Sequence, residues 1–170
     1  MERIVVLEGE VNEASALNVI MKLLYLDSEN PGKEIDLYIN SEGGSILDGL
    51  AIYDTIKSLK SPVNTLCCGL AASMGAFLLS CGQKGKRAAL KHSRILIHQP
   101  LVYAQQGMLK SQSELEEMAK RMSKTRDTLE EIMASNIGIK KEKIHEDSER
   151  DHWMSAEEAK AYGLIDKIIG

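Results

Sequence analysis

The amino-acid sequence predicts a single α/β domain spanning residues 1–170, in which repeated strand-helix units surround a largely parallel sheet. Its 170 residues are enough for one buried core without disulfide staples. Short runs rich in β-branched residues alternate with longer segments whose apolar residues recur every three or four positions. Successive units of this kind form parallel sheets with right-handed crossovers.

The first unit is a strand over residues 3–7 followed by a helix. Asn12 is a suitable N-cap, and the helix is expected to reach Leu26 before the breaker Asn30-Pro31-Gly32. Two apolar stripes run along this helix, one containing Leu17 and the other Ala16. They predict a helix that is buried over a wide arc.

The next two units repeat the order of strand, glycine-rich turn and helix. Glycine and other small residues after each strand favour a tight turn. The basic run Lys84–Arg87 is interpreted as a solvated turn. The predicted elements are a strand at 34–40, a turn at Gly43-Gly44, a helix through 52–59, a strand at 63–68, a turn at 69–72, a helix at 73–81 and a strand at 93–98.

Residues 61–83 carry no formal charge, so they need to be weighed as a membrane span. Pro62, Gly69, Gly75 and Gly82 interrupt the run. A buried strand followed by a separate helix explains the segment better. We therefore predict that the chain has no membrane partner.

A long amphipathic helix is predicted over about residues 107–136, where apolar residues alternate three and four positions apart. We expect part of it to project and pack against another subunit, and the alternative is an ordinary surface helix. Beyond it we predict a helix at 140–147, a turn at 148–151, a capping box at Ser155–Glu158, a helix ending at Gly163 and a strand at 164–169.

Composition excludes several classes of protein. The formal net charge of −4 provides no basic surface, so nucleic acid is not an expected partner. The three cysteines include the adjacent Cys67 and Cys68 and make a poor disulfide framework, which favours a reducing compartment. The first residues lack a signal peptide's apolar run. We therefore expect a cytoplasmic protein.

Ser73 is the first candidate for chemistry, because it lies where a strand gives way to a helix. Small residues surround it, which would let a substrate carbonyl reach its hydroxyl. One interpretation is a plain serine N-cap. The other is a nucleophile whose developing charge is stabilised by helix N–H groups, with Gly44 close enough to donate as well.

His98 ends the next strand and could serve Ser73 as a general base, although a single histidine is often purely structural. A third member of such a site would be a carboxylate that holds the imidazole tautomer. Asp147, Glu149 and Asp151 are all candidates, and their spacing does not distinguish them. Their run could equally be a solvated acidic face.

Metal and nucleotide sites are not predicted. The sequence contains no C-x-x-C, no H-E-x-x-H and no G-x-x-x-x-G-K-[ST]. We therefore expect no metal and no cofactor in this chain.

Several segments together resemble the ClpP family, the proteolytic subunits of the ATP-dependent caseinolytic (Clp) proteases. The resemblance extends over essentially every residue from Arg3 onward, in the order of the family. It is carried by Leu37–Gly44 (LYINSEGG), Ile52–Thr55 (IYDT), Gly69–Leu79 (GLAASMGAFLL), Gly85–Arg87 (GKR), Ile97–Pro100 (IHQP) and Ser148–Asp151 (SERD).

The resemblance implies a ClpP/crotonase-like fold and a serine endopeptidase. It implies that Ser73 is the nucleophile, His98 the base and Asp151 the orienting carboxylate. It further implies oxyanion N–H groups at Gly44 and Met74. Residues that would bind substrate are Gly43, Ile46 and Leu101.

The resemblance also implies two stacked heptameric rings joined through a handle, at about residues 99–136. A AAA+ unfoldase of the ClpX, ClpA or ClpC type, using ATP and Mg, would feed unfolded proteins into the chamber. Its docking pocket would involve Tyr38, Leu66, Cys68 and Leu90. In this resemblance the sequence starts at the family's first core strand, so we expect the N-terminal axial segment to be absent from it.

Some residues depart from the family pattern. Glu42 stands in place of a proline, and Val102-Tyr103 in place of a glycine pair, which predicts a less adaptable substrate-binding strand. Asp36 and Ala88 occupy docking positions where aromatic residues are common. A charge there opposes apolar docking, so we hypothesise a divergent paralogue that binds unfoldase weakly unless it co-assembles with a second subunit type.

Two other functions compete with a peptidase. One is a regulatory or structural ring subunit with little activity of its own, against which the intact Ser73, His98 and Asp151 argue. The other is a crotonase-like acyl-CoA enzyme, which has no need of a serine nucleophile with an imidazole base.

Overall fold

The computed structural model describes residues 2–101 and 111–170, and a mixed α/β arrangement accounts for them. The strands are β1 Ile4–Val11, β2 Ile35–Gly44, β3 Val63–Ala72, β4 Arg87–Leu90, β5 Arg94–Ile97, β6 His152–Ser155 and β7 Lys167–Ile169. The helices are α1 Glu13–Glu29, α2 Ile46–Ser58, α3 Met74–Ser80, α4 Gln112–Ile137, α5 Lys141–Ser148 and α6 Ala156–Tyr162.

The strands form one sheet in the order β1-β2-β3-β4-β7, with β5 pairing with both β3 and β6. All pairings between described strands are parallel except that of β5 with β6. The largely parallel sheet predicted from the strand-helix order is thus confirmed. β3 is shared: residues 65–67 pair with β4, and residues 70–72 pair with β5.

Helix α1 begins and ends for reasons visible in the sequence, but one prediction about it is wrong. The Asn12 side chain accepts a hydrogen bond from the Ser15 N–H at 3.0 Å, as expected for an N-cap. The helix continues beyond Leu26 to Glu29. Only the stripe containing Ala16 is buried, whereas Leu17 is 56% exposed. The apolar surface of α1 is therefore wider than the part of it that packs against the core.

Two predicted turns are in fact paired strand. Gly43 and Gly44 continue β2, opposite Glu10 and Val11 of β1. Likewise, residues 69–72 continue β3 to the edge of α3. The sequence suggested turns because glycine usually interrupts strands. Here the positive φ of Gly43 (89°) and Gly69 (99°) coincides with shifts of register, so the strands kink without losing their pairing.

The sequence also failed to indicate β4 and β6. Each has four residues, which is too short to show a period of two, and neither has the run of large aliphatic residues found in the equally short β5. The predicted solvated turn at Lys84–Arg87 is wrong at its last residue, because Arg87 is only 3% exposed. Its guanidinium binds Asp166 through Nε (2.9 Å) and Nη2 (2.7 Å).

The charge-free segment 61–83 supplies β3 and α3, and all seven residues of α3 are buried. None of the helices in the described ranges has both the length and the apolarity to cross a bilayer.

Helix α4 confirms the predicted long helix and runs to Ile137, while the predicted start at 107 lies outside the described residues. Glu130, Met133 and Ala134 near its C-terminus are buried, and Leu115 in its first turn is 55% exposed. The capping box at Ser155–Glu158 and the left-handed Gly163 that ends α6 are confirmed. The last strand is shorter than predicted, because it begins at Lys167.

Candidate active site

Ser73 forms the turn between β3 and α3 in a conformation that is rare for a serine. Its φ of 56° and ψ of −119° make it the only non-glycine residue with positive φ in the described ranges. Such a conformation costs about 1–3 kcal/mol and persists only where the surroundings enforce it. Here its N–H donates to the Leu96 carbonyl (2.9 Å) and its carbonyl accepts from the Phe77 N–H (3.0 Å).

The Ser73 hydroxyl does not act as a helix cap, so that interpretation of the residue is wrong. It makes no side-chain bond to the first turn of α3, and no hydrogen bond to any other described residue. The strand-turn-helix geometry is that of a nucleophile elbow, in which a sharp turn presents the hydroxyl to a cleft. The turn leaves the Ser73 oxygen available for chemistry.

Gly43 allows β2 to approach this turn closely. A Cβ at Gly43 would lie 2.6 Å from the Ala72 oxygen, 2.7 Å from the Ser73 Cβ and 2.9 Å from the Met74 nitrogen. No larger side chain fits there without moving the turn. Gly44, the predicted oxyanion residue, is exposed, and a Cβ at its position would clash with Val11 of β1 rather than with Ser73.

His98 and Ser73 lie at the same edge of the sheet because of the β3–β5 register. Ala72 is opposite Leu96, so Ser73 and His98 follow the ends of adjacent parallel strands. Both line one cavity, together with Met74 and the predicted substrate-binding residue Ile46. Most of the remaining wall is apolar, formed by Phe77, Ile97, Pro100, Leu129, Met133 and Ile144.

Asp151 occupies a different position. It is exposed and lines a neighbouring surface cleft with Glu149 and His152. The antiparallel β5–β6 ladder ends with Ile97 opposite His152, so His98 and Asp151 are the next residues on each strand. Within the described residues, no hydrogen bond joins Ser73 to His98 or His98 to Asp151. The structure thus brings two of the three residues to one cavity and the third to the adjoining strand end.

The other two candidate acids are already engaged. Asp147 accepts from the Lys143 ammonium (2.7 Å) and the Tyr162 hydroxyl (2.9 Å). Burial raises the pKa of Asp147, but these two hydrogen bonds outweigh it and the pKa lies below its ordinary value. Glu149 binds Arg126 at 2.8 Å. Asp151 is the one acid of the three without such a bond in the described structure.

Comparison with known proteins adds the decisive observation. The sequence model of the family described as Clp protease matches residues 1–170. The chain belongs to the Clp protease family. It is 54% identical, over 99% of its length and 82% of the relative's, to the ATP-dependent Clp protease proteolytic subunit 2 of Prochlorococcus marinus (strain MIT 9312). The role of this Clp protease family member is that of a peptidase, which disfavours the acyl-CoA alternative.

A polar cluster beside the cavity could not be identified from the sequence patterns. Arg126 of α4, also a cavity residue, donates to Glu130 (2.6 Å), Gln99 (3.1 Å) and Glu149 (2.8 Å). Burial lowers the pKa of the Arg126 guanidinium, but the hydrogen bonds to Glu130 and Glu149 raise it above its usual value. The i, i+4 spacing of Arg126 and Glu130 was the available signal, although such pairs usually lie in solvent.

The remaining predicted site residues are more scattered. Leu101 is 57% exposed and does not line the cavity, while Val102 and Tyr103 lie outside the described residues. Among the docking positions, Leu90 is 38% exposed. Tyr38, Leu66 and Cys68 are half-buried, with Tyr38 opposite Leu66 and Leu66 opposite a buried Ala88.

Proposed function

We propose that this peptidase is a serine-type endopeptidase in which Ser73 attacks, His98 acts as base and Asp151 orients the imidazole. The observation that carries the proposal is the strained Ser73 turn, whose hydroxyl has no partner among the described residues and shares a cavity with His98. Residues held in such costly backbone conformations cluster at active sites, where the strain is part of the mechanism.

The chemistry follows from these positions. His98 takes the Ser73 proton as the oxygen attacks a peptide carbonyl, and it returns that proton to the departing amine. Water then releases the acyl group by the reverse sequence of proton transfers. The N–H groups of Met74 and Gly44 would stabilise the oxyanion, and each such donor is worth about 10²–10³ in turnover. The apolar walls around Ile46 and Phe77 would receive a substrate side chain.

Completing the triad requires the Asp151 carboxylate to reach the His98 imidazole. His98 and Asp151 follow the last residue pair of the β5–β6 ladder, and directly opposed residues have Cβ atoms about 4.5–5.5 Å apart. Extending the ladder by one pair would bring them together. We propose that assembly into two stacked heptameric rings, in which a partner covers the exposed first turns of α4, provides this extension.

We further propose that a AAA+ unfoldase, using ATP and Mg, feeds unfolded proteins to the assembled subunit in the cytoplasm. The half-buried row Tyr38, Leu66 and Cys68 is the surface for its loops. Two residues earlier on the same two strands, the Asn64 amide donates to Asp36 at 2.8 Å, which places polar groups beside this row. We therefore propose weak docking unless a second subunit type is present. Tight unfoldase binding and full protein degradation by this subunit alone would refute that part.

A second candidate is a ring subunit with little activity of its own. The specific observation in its favour is the absence of hydrogen bonds among Ser73, His98 and Asp151 in the described structure. The two candidates differ in whether Ser73 reacts once the rings have formed.

The test is labelling of the assembled protein with a fluorophosphonate, together with hydrolysis of a short fluorogenic peptide. We expect one label per chain, mapped to Ser73, and loss of both labelling and hydrolysis in Ser73→Ala. Ser58→Ala, at the exposed C-terminal end of α2, is the matched control and should leave both unchanged. Assembled rings that neither label nor hydrolyse would favour the second candidate.

A further inference from the structure

The Arg126 guanidinium connects three parts of the chain that meet at the candidate active site. It lies on α4 and its side chain is 16% exposed. Nε donates to Glu130 on the same helix (2.6 Å), and Nη1 donates to the Gln99 side-chain oxygen after β5 (3.1 Å). Nη2 donates to the Glu149 carboxylate (2.8 Å) and to the His145 carbonyl (3.2 Å). Four acceptors on three segments of the chain therefore share one planar cation.

Two of these acceptors are close neighbours of the proposed catalytic residues. Gln99 follows His98 directly, and Glu149 precedes Asp151 by two positions. Gln99 is also fixed from its other side, because its side-chain amide donates to the Glu149 carbonyl (3.0 Å) and its backbone N–H donates to the Ser148 carbonyl (2.7 Å). The chain on either side of the cavity is thus held in one hydrogen-bonded frame.

The proposed role rests on the serine-peptidase function given above. We infer that Arg126 is a positioning residue: by holding Gln99 and Glu149 against α4, it keeps His98 and the segment that carries Asp151 at adjoining strand ends, from which assembly brings the two side chains together. His98 and Asp151 touch the reaction, whereas Arg126 acts on them through their neighbours.

An ordinary buried ion pair does not account for this arrangement. Glu130 is 6% exposed and is bound on its other side by the His145 ring, with Nδ1 at 3.0 Å. A pair kept for stability alone could be replaced by apolar residues at little cost. The contacts to Gln99 and Glu149 need the fixed fork of a guanidinium, which neither lysine nor an apolar residue reproduces.

The experiment compares peptide hydrolysis by Arg126→Met, Arg126→Lys and the double variant Arg126→Met/Glu130→Gln in the assembled protein. For Arg126→Met we expect kcat to fall about 30–100-fold with KM within about threefold, since small misplacements of reacting groups are expensive. Arg126→Lys keeps the charge but loses the planar fork of the guanidinium. Its kcat should fall about tenfold, and its thermal midpoint should stay near that of wild type. The rate of fluorophosphonate labelling at Ser73 should fall in parallel.

The double variant separates positioning from charge burial. Glu130→Gln removes the buried carboxylate that Arg126→Met leaves without its arginine partner. If that buried charge were the only cause of the loss, kcat would return towards the wild-type value. We expect kcat of the double variant to remain low. Lys141→Met is the matched control, because Lys141 also ties α5 to α4, through Asp127 (2.7 Å) and Glu131 (3.2 Å), without touching Gln99 or Glu149. It should keep wild-type kcat.

Several results would overturn the inference. These are kcat within twofold of wild type in Arg126→Met and Arg126→Lys, recovery in the double variant, or a kcat that rises because the frame restrains an inactive arrangement. Ring size and thermal midpoint are recorded for each variant, and Arg126→Lys decides if Arg126→Met does not assemble. Failure of the serine-peptidase proposal would look different, because Ser73→Ala would then retain activity.

Discussion

Replacing Ser73 by glycine should inactivate the protein and stabilise it relative to Ser73→Ala. Both variants remove the hydroxyl, so both lose the nucleophile. They differ in that alanine keeps the Cβ that makes the left-handed backbone at φ 56° unfavourable, whereas glycine adopts such a conformation freely. The difference between the two variants therefore isolates the backbone strain at this position.

The size of the difference can be estimated from three contributions. Relief of strain at a residue with this φ and ψ is worth about 1–3 kcal/mol. The greater freedom of glycine in the unfolded chain costs about 0.5–1 kcal/mol. Ser73 is half-buried, so loss of its Cβ from the packing costs about half of the 0.8 kcal/mol of one buried carbon. The balance is about 1 kcal/mol in favour of Ser73→Gly.

The assay is thermal unfolding by circular dichroism at a fixed chain concentration, with ring size checked for both variants. For a chain of this length, about 1 kcal/mol corresponds to a rise in melting temperature of about 2–4 °C. Neither variant should hydrolyse the fluorogenic peptide. A Ser73→Gly protein that melts below Ser73→Ala would show that the turn is not strained, and would remove the main observation behind the proposed nucleophile.

Three further predictions concern residues around the site and in the core. Gly43→Ala should abolish peptide hydrolysis and lower the melting temperature, because its Cβ would meet the Ser73 turn. Gly85→Ala is the control, since Gly85 also has a positive φ but faces open space. It should lower the stability by only about 1 kcal/mol and keep activity. Asp166→Asn should cost about 2–4 kcal/mol in urea unfolding, because it strands the buried Arg87, whereas Glu34→Gln at an exposed pair should leave the midpoint unchanged. Arg87 lowers the pKa of Asp166, so the ionised Asp166 should stabilise the folded protein fully above about pH 4. This stabilisation should be lost as the pH falls through the folded-state pKa of Asp166. The Asp166→Asn variant should show no such loss.

Local signals in the sequence predicted the structure correctly where backbone groups form hydrogen bonds with residues close by in the chain. The caps at Asn12 and Ser155 and the stop at Gly163 depend on residues within four positions of one another, and all three are confirmed. The parallel sheet follows from the same local order of strands and helices. Ser73 could be placed at a strand-helix junction for the same reason, and its position there is also confirmed.

Contacts between distant segments could not be predicted in this way. The sequence predicts that Arg87 is a solvated cation, because its partner Asp166 lies far along the chain and only the fold brings the two together. The position of Asp151 depends on β6, whose four residues show no pattern and whose register is set only by pairing with β5. Arg126 has the spacing of an exposed helix pair, and its burial follows from the packing of α4 and α5 around Gln99. Such features depend on packing, which a pattern of residue types does not encode.

The division of β3 explains how the strained turn can persist. Residues 65–67 are fixed to β4 and residues 70–72 to β5, so the end of β3 cannot relax by sliding along either neighbour. On its other side the Ser73 turn leads into α3, where each residue is buried, and the Met74 side chain fills the space left by Gly49. About 1–3 kcal/mol of strain is small beside the burial of such a helix, since one fully buried Leu or Phe contributes about 1.5–3 kcal/mol. The core therefore holds Ser73 in a geometry that the residue alone would leave, and mutations that loosen α3 should impair the proposed site before they unfold the domain.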